Sequence, residues 1–224
     1  MLAFHYQPSH VAAVGALPGR SSASSLGERC ALWCEMQASE AGLPGADAIA
    51  SWFAICERGG KPIGITSGNH CAAAQSAAMH AMIRPGDAQP HGFRAGAKEL
   101  MEDAMAAGTW RATSAWRSGS WSPRRGDIAI YDRSDPARPE TSWWGHVNRV
   151  VSVEPNGELV TLGANEGPGG AWKFGRIGPD HARLLGFVEY PHGGALMAGA
   201  FGFGLALAGI GVAAALYMGN PRGR

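Results

Sequence analysis

The sequence predicts an α+β fold, and three observations predict it. Apolar residues recur at helical spacing through the first half of the chain. After Gly126 the vocabulary changes to β-branched residues separated by turns. An Asn156-Gly157 pair after Pro155 joins two of the β-rich runs, and Asn and Gly accept the positive φ that a tight hairpin needs. Helices followed by an antiparallel meander give N-terminal helices packed on an antiparallel sheet. In order, Leu26, Cys30, Trp33, Cys34, Gln37 and Ala41 mark a first helix, stopped by Gly42 and Pro44. A second is predicted over Ala46–Arg58, ended by Gly59-Gly60, and a third over Cys71–Met82, closed by Pro85-Gly86. A fourth fits Ala95–Ala107 with Gly108 as its stop. The strands are GDIAIYD from Gly126, the two arms of HVNRVVSVEPNGELVTLG from His146, and RLLGFVEY from Arg183.

Length and composition divide the chain. Its 224 residues suffice for one domain and an appendage. Nineteen Lys and Arg against eighteen Asp and Glu leave a net charge of +1, so bulk electrostatic binding of nucleic acid is excluded. Charged residues are only 17% while hydrophobics reach 46%, more apolar than a globular surface allows. The excess sits at the end. Residues 195–218 run without a charge or a proline. As a helix they span roughly 36 Å, against a hydrocarbon core of about 30 Å. Tyr217 bounds the stretch, Arg222 and Arg224 follow it, and Ala200, Gly204 and Ala208 form a small-residue face. We read 193–224 as a C-terminal transmembrane or membrane-penetrating helix, with a packed helix of a bundle as the alternative. Residues 1–25 read as an extended arm without the basic start and long apolar run of an export signal, and 26–192 as the folded domain.

Four cysteines without a CxxC pair exclude a disulfide scaffold and a zinc ribbon. Cys71 opens an Ala-rich helix, where the macrodipole favours thiolate, although a small buried core residue is the ordinary reading of such a cysteine. His146 begins a strand directly after Gly145, as a base or as an exposed strand-end histidine. Asn165 ends the partner strand, so antiparallel pairing brings it to His146's end of the sheet, where its amide could fix the imidazole tautomer. Cys30, Cys34 and Cys56 are read as core thiols and His70 as a surface histidine. Asp127 is read as fixing the turn into its strand. Trp143 and Trp144 could wall a substrate groove, while core packing claims at least half of the tryptophans near the site-bearing segments. Glu166 is an exposed acid that could bind substrate or help orient His146.

Taken together, NHCAA around Cys71, RRGDIAIYD at 124–132, GHVNRVVSV at 145–153 and TLGANEG at 161–167 resemble the CHAP and NlpC-type cell-wall hydrolases. RLLGFVEYP at 183–191 is similar to the last strand of a phage-associated branch. The resemblance covers residues 26–191 in order and implies a papain-like fold. It implies Cys71 as nucleophile, His146 as base and Asn165 as the orienting residue, with Asn69 as an upstream oxyanion donor beside the Cys71 N–H. Two positions depart from the pattern. Gly163 stands where many members have Glu, and Asn148 and Arg149 interrupt an otherwise small or apolar strand.

The resemblance implies amide or peptide-bond cleavage in peptidoglycan by acyl transfer, without metal or cofactor. The expected partners are peptidoglycan, a membrane through residues 195–218, and other virion proteins through residues 1–25. The expected setting is a bacteriophage particle, or otherwise the host cell envelope. The rival class is a non-enzymatic, membrane-associated structural or pore-forming protein with an inactive domain, a reading that Gly163 and Arg149 support.

Overall fold

A computed structural model describes residues 25–41, 43–64, 68–166 and 170–192. Residues 1–24 of the arm expected over 1–25, and the apolar segment 195–218, lie outside the described residues. Among the described residues no helix is long and apolar enough to cross a membrane.

Four longer helices precede the main sheet. Helix α1 (Leu26–Ala41) starts at a capping box, in which Ser25 N–H donates to Glu28 and Glu28 N–H donates to Ser25 Oγ. Helix α2 spans Ala46–Ala54. The predicted continuation to Arg58 instead leaves the helix and enters a two-stranded ribbon, β1 (Glu57–Arg58) and β2 (Lys61–Pro62), because Gly59 and Gly60 both take positive φ between the strands. Helix α3 is Cys71–Met82, as predicted. Helix α4 is Ala97–Ala107, two residues shorter than predicted, since the Gly96 N–H is taken by the Glu99 carboxylate at its start. Gly108 ends it at φ +73°.

The main sheet has strands β3 (Trp110–Ala112), β4 (Ile128–Asp132), β5 (Gly145–Val153), β6 (Leu159–Glu166), β7 (Ala171–Ile177) and β8 (Leu184–Val188). Their spatial order is β3-β8-β4-β5-β6-β7, every pair antiparallel. Strands β3 and β7 and the short helix α5 (Thr113–Arg117) were not anticipated. Strand β3 is three residues long, and β7 mixes Lys173, Gly175 and Arg176 into its pattern, so neither carries a readable period.

One sheet face carries Ile128, Ile130, Val147, Val151 and Leu162 into the core with α1, α2 and α3. The other carries Ala129, Tyr131, Val150, Leu159 and Phe187, with Trp116 and Trp121 packed over them. Helix α3 is covered on nearly every side, and its alanines let the surrounding elements approach closely. Cys30, Cys34 and Cys56 are all buried. Trp33, Trp52 and Trp172 form an edge-to-face triangle with centroids 5.9–6.4 Å apart, tying α1, α2 and β7 together.

Arg149 lies fully buried on the helix-facing side of β5. Its Nε donates to Gln75 Oε1 on α3 (2.9 Å), and Nη1 donates to the Gly126 carbonyl (2.8 Å). Its guanidinium stacks over the Tyr190 ring at 4.5 Å. No carboxylate pairs with it among the described residues, so fixed dipoles and a π-face replace its hydration. Gly126, at φ +101°, packs backbone to backbone on Gly27, where a Cβ would meet the Gly27 carbonyl carbon at 2.3 Å. Buried Asp127 closes the same turn, as predicted, accepting from Arg124 N–H and Tyr190 N–H.

Arg149→Ala leaves the Gly126 carbonyl without its donor and opens a cavity between α3 and β5. The expected cost is about 2–5 kcal/mol, and Arg149→Met costs less because it refills volume. Urea unfolding checks this as a fall in midpoint at constant slope.

Candidate functional site

Cys71 is the first residue of α3 and His146 the second residue of β5, both buried. Left in apolar surroundings, the Cys71 thiol would be pushed up by burial. The opposing contributions win: the hydrogen-bonding and charge of His146, the Val147 N–H and the Arg133 guanidinium bring it below the ordinary thiol value. Burial works the other way on His146, favouring neutral imidazole, but Cys71 and Glu166 raise it to about 9. The two groups therefore favour a thiolate beside an imidazolium. By contrast, burial pushes Cys30 up to about 11 and Cys34 and Cys56 up to about 12.

The sequence reading assigned the orienting role to Asn165, and here the structure differs. His146 Nε2 meets Glu166 Oε1 at 2.5 Å, whereas Asn165 donates from Nδ2 to Asn69 Oδ1 at 3.2 Å. The cause is a bulge. Regular continuation of the β5–β6 register, in which Arg149 pairs with Leu162, sets residue 165 opposite His146. Asn165 instead adopts φ +64°, and the β6–β7 register slips by one between Gly163 and Glu166. The inserted residue turns Glu166 onto the face that residue 165 would have used. Asn is among the few residue types that take this conformation readily.

Glu166 is held from two further sides. Asn148, two residues from His146 on the same strand face, donates to Oε1 at 3.2 Å. Arg133 Nη2 lies 3.6 Å from Oε2. Burial raises the Glu166 carboxyl, but His146, Asn148 and Arg133 outweigh it and hold the group below the ordinary carboxylate value. Gly163 makes room for this arrangement. A Cβ there would lie 2.0 Å from Asn148 Oδ1 and 3.2 Å from Glu166 Oε1. The two departures from the family pattern, Gly163 and Asn148, are thus halves of one packing solution.

With Nε2 occupied, Nδ1 is the imidazole nitrogen left for the thiol, and it has no hydrogen-bond partner of ordinary geometry. Loose nucleophile–base contacts of this kind tighten when substrate binds. His70 is not the surface residue expected. It is buried against Trp52, with Nδ1 facing the Gly68 carbonyl (3.1 Å) and Nε2 the Gly170 carbonyl (3.0 Å). It clasps the segment before the nucleophile to the segment after Glu166. Nothing in a lone histidine beside a cysteine signals that burial.

Above Cys71 lies a cleft of about 730 Å³ whose lining includes Asn69, Arg133, Trp143, Trp144, Asn165 and Arg183. Trp143 is 66% exposed and Trp144 38%. Their rings stand edge to face at 6.3 Å, and Arg138 lies over Trp144. Both tryptophans that were expected to wall a groove do line this one. No group of three or more His, Cys, Asp and Glu residues suited to a metal ion occurs among the described residues.

Two outcomes follow for this site. Iodoacetamide at neutral pH is expected to label Cys71 at least about tenfold faster than Cys30, Cys34 or Cys56, read by peptide mass after quenching. Glu166→Gln removes a group that raises the imidazole. The alkaline limb of the Cys71 alkylation or rate profile, near pH 9 in the wild type, then moves to lower pH. An unmoved limb would show that Glu166 does not act on His146.

The CHAP domain family model matches residues 30–165, more than half of the chain, and includes Cys71 and His146 but stops one residue short of Glu166. No curated protein matches the chain. A solved structure, "The crystal structure of Ly7917", aligns at 17% identity and a TM-score of 0.35 over 55% of this chain and 54% of that one. The chain thus spans about half the length of that solved chain. With its helices set on an antiparallel sheet and the family match running through both, the chain belongs to the CHAP domain family.

Proposed function

We propose that the protein is a cysteine peptidase or amidase that cleaves an amide or peptide bond of bacterial peptidoglycan. The observation that carries this reading is the Cys71–His146–Glu166 set, two buried groups and a half-buried carboxylate, beside an open cleft. Cys71 thiolate attacks the carbonyl carbon, and the electron pair of the C=O moves onto oxygen. As the tetrahedral intermediate collapses, His146 donates the Nδ1 proton to the leaving amine. Neutral His146 then takes a proton from water, whose oxygen attacks the thioester carbonyl; collapse of that tetrahedral intermediate breaks the C–S bond and restores the Cys71 thiolate beside the His146 imidazolium. Glu166 keeps the ring oriented and stabilises the imidazolium throughout.

The Cys71 backbone N–H, in the first turn of its helix where intrahelical acceptors are lacking, is assigned to the developing oxyanion, with Asn69 as the second donor. The Asn69 carbonyl oxygen is engaged by Asn165, which leaves its amide N–H groups to donate. Asn165 thereby supports the oxyanion donor rather than the base. Replacing Asn69 by Ala is expected to lower kcat by about 10²–10³ without abolishing turnover.

Residues 195–218 are proposed to bring the domain to a membrane, and residues 1–25 to dock it on a bacteriophage particle that delivers it to the wall. The inactive-scaffold reading loses its two supports. Gly163 accommodates Asn148, and Arg149 braces the nucleophile helix.

The test is digestion of purified peptidoglycan by the full chain, wild type against Cys71→Ala, with products identified by mass. Fragments from the wild type alone are expected, and the new termini name the bond. Equal release by both proteins, or none by either from several walls, would refute the hydrolase. Deleting 193–224 is expected to abolish co-sedimentation with membranes while leaving digestion of isolated walls intact. Recovery of the chain from host membranes but never from purified particles would refute the delivery route.

A further inference from the structure

The cleft is electrically one-sided. Arg58, Arg133 and Arg183 line it, and no Asp or Glu does among its described lining residues, although the whole chain carries a net charge of only +1. The three arginines are not equivalent. Arg58 is already answered by Glu99, with Nε 2.6 Å from Oε1. Most other arginines are likewise committed to carboxylates, among them Arg94 to Asp103 and Arg125 to Glu35.

Arg133 and Arg183 keep donors to spare. Arg133 faces Glu166 Oε2 at 3.6 Å, longer than a strong charge-assisted bond, while His146 and Asn148 hold the other oxygen, so its guanidinium steadies Glu166 and still has N–H groups to offer a ligand. Arg183 donates from Nη1 to the Ser134 carbonyl at 3.0 Å and has no carboxylate partner among the described residues. The Asp132 N–H bonds the Arg183 carbonyl, so both guanidiniums spring from the same end of the sheet. They share the lining of the cleft with Cys71, Trp143 and Trp144.

We infer that this cleft selects a peptide bearing a free carboxylate next to the scissile bond, with Arg133 and Arg183 as the specificity-determining pair. Guanidinium forks match carboxylates bidentately, and both side chains are exposed to solvent, where an incoming carboxylate can reach them. Arg133 attracts the anion and also favours the Cys71 thiolate, so the group that binds substrate keeps the nucleophile charged. A peptide whose carboxyl groups are capped as amides loses this attraction, and one carrying amines there is repelled. The inference rests on the hydrolase reading for its substrate but concerns recognition, which can be measured without cleavage.

The experiment uses the full chain in mild detergent and one batch of purified peptidoglycan. Half is left native, and half has its carboxyl groups converted to primary amides with carbodiimide and ammonia. The wild type is expected to release fragments from the native wall about tenfold faster or more, the effect of one charge-assisted contact. In Arg183→Gln that ratio falls toward one. Arg183→Lys keeps part of it, and Arg176→Gln, a charge-matched change on β7 outside the cleft, keeps all of it. Equal wild-type rates on the two walls overturn the inference, as does an equal loss of preference in Arg176→Gln.

Binding gives the independent arm, through co-pelleting of full-length Cys71→Ala with each wall. If neither wall is cut but the native wall is retained preferentially through Arg183, carboxylate selection stands and the hydrolase reading fails. Equal pelleting with both walls overturns the selection whatever the cleavage result.

Discussion

The contact between Glu166 Oε1 and His146 Nε2 is the constraint around which the site is built. It fixes which imidazole nitrogen faces the thiol, supplies charge that keeps the ring protonated, and thereby contributes to lowering the thiol itself. The carboxylate must stay ionised to do this although it is half-buried, which costs desolvation. Asn148 and Arg133 offset that cost from two sides, so the acid stays an anion at the edge of the core. His146, Asn148 and Glu166 are placed by strands and Arg133 by the residue that follows β4, and a strand is a firmer mount than a loop for a site that tolerates little misplacement.

Behind the site, the interior arginine performs a comparable task on a larger scale. Gln75 lies one turn beyond Cys71 on α3, and Arg149 lies three residues beyond His146 on β5. Their hydrogen bond joins the nucleophile's helix to the base's strand close to both reacting groups. Arg149 also reaches the Gly126 turn, and through Tyr190 it touches His91, whose imidazole burial drives down to about 4. This is a neutral network around one permanent charge. Such arrangements stabilise weakly for their number of bonds but define a single alignment of the elements that share them.

Much of this was legible from the residues. Helical spacing located α1 and α3 to the residue, because Gly42 with Pro44 and Pro85-Gly86 end strongly patterned runs. The Asn156-Gly157 turn placed β5 beside β6, and from that pairing His146 and the end of β6 had to be neighbours. What could not be read was the last residue of that pairing. Strand patterns assume a period of two, and a bulge breaks the period without leaving a mark in composition. Asn165 carried an ambiguous message, since the same residue type serves chemistry and left-handed backbone alike. His70 was misread for a related reason, because burial by Trp52 depends on tertiary packing that no local pattern encodes. Arg149 looked like an intrusion in an apolar strand, and only the facing Gln75 and Tyr190 explain it.

The interlock of positions 148, 163, 165 and 166 also bears on how such a chain can change over generations. A side chain at 163 and an amide at 148 compete for the same volume, so either excludes the other. A residue unable to hold left-handed backbone at 165 would return the strand to regular register and swing residue 166 away from the imidazole. Replacement at one of these four positions therefore disturbs the others, and a side chain at 163 is better tolerated when position 148 shrinks with it.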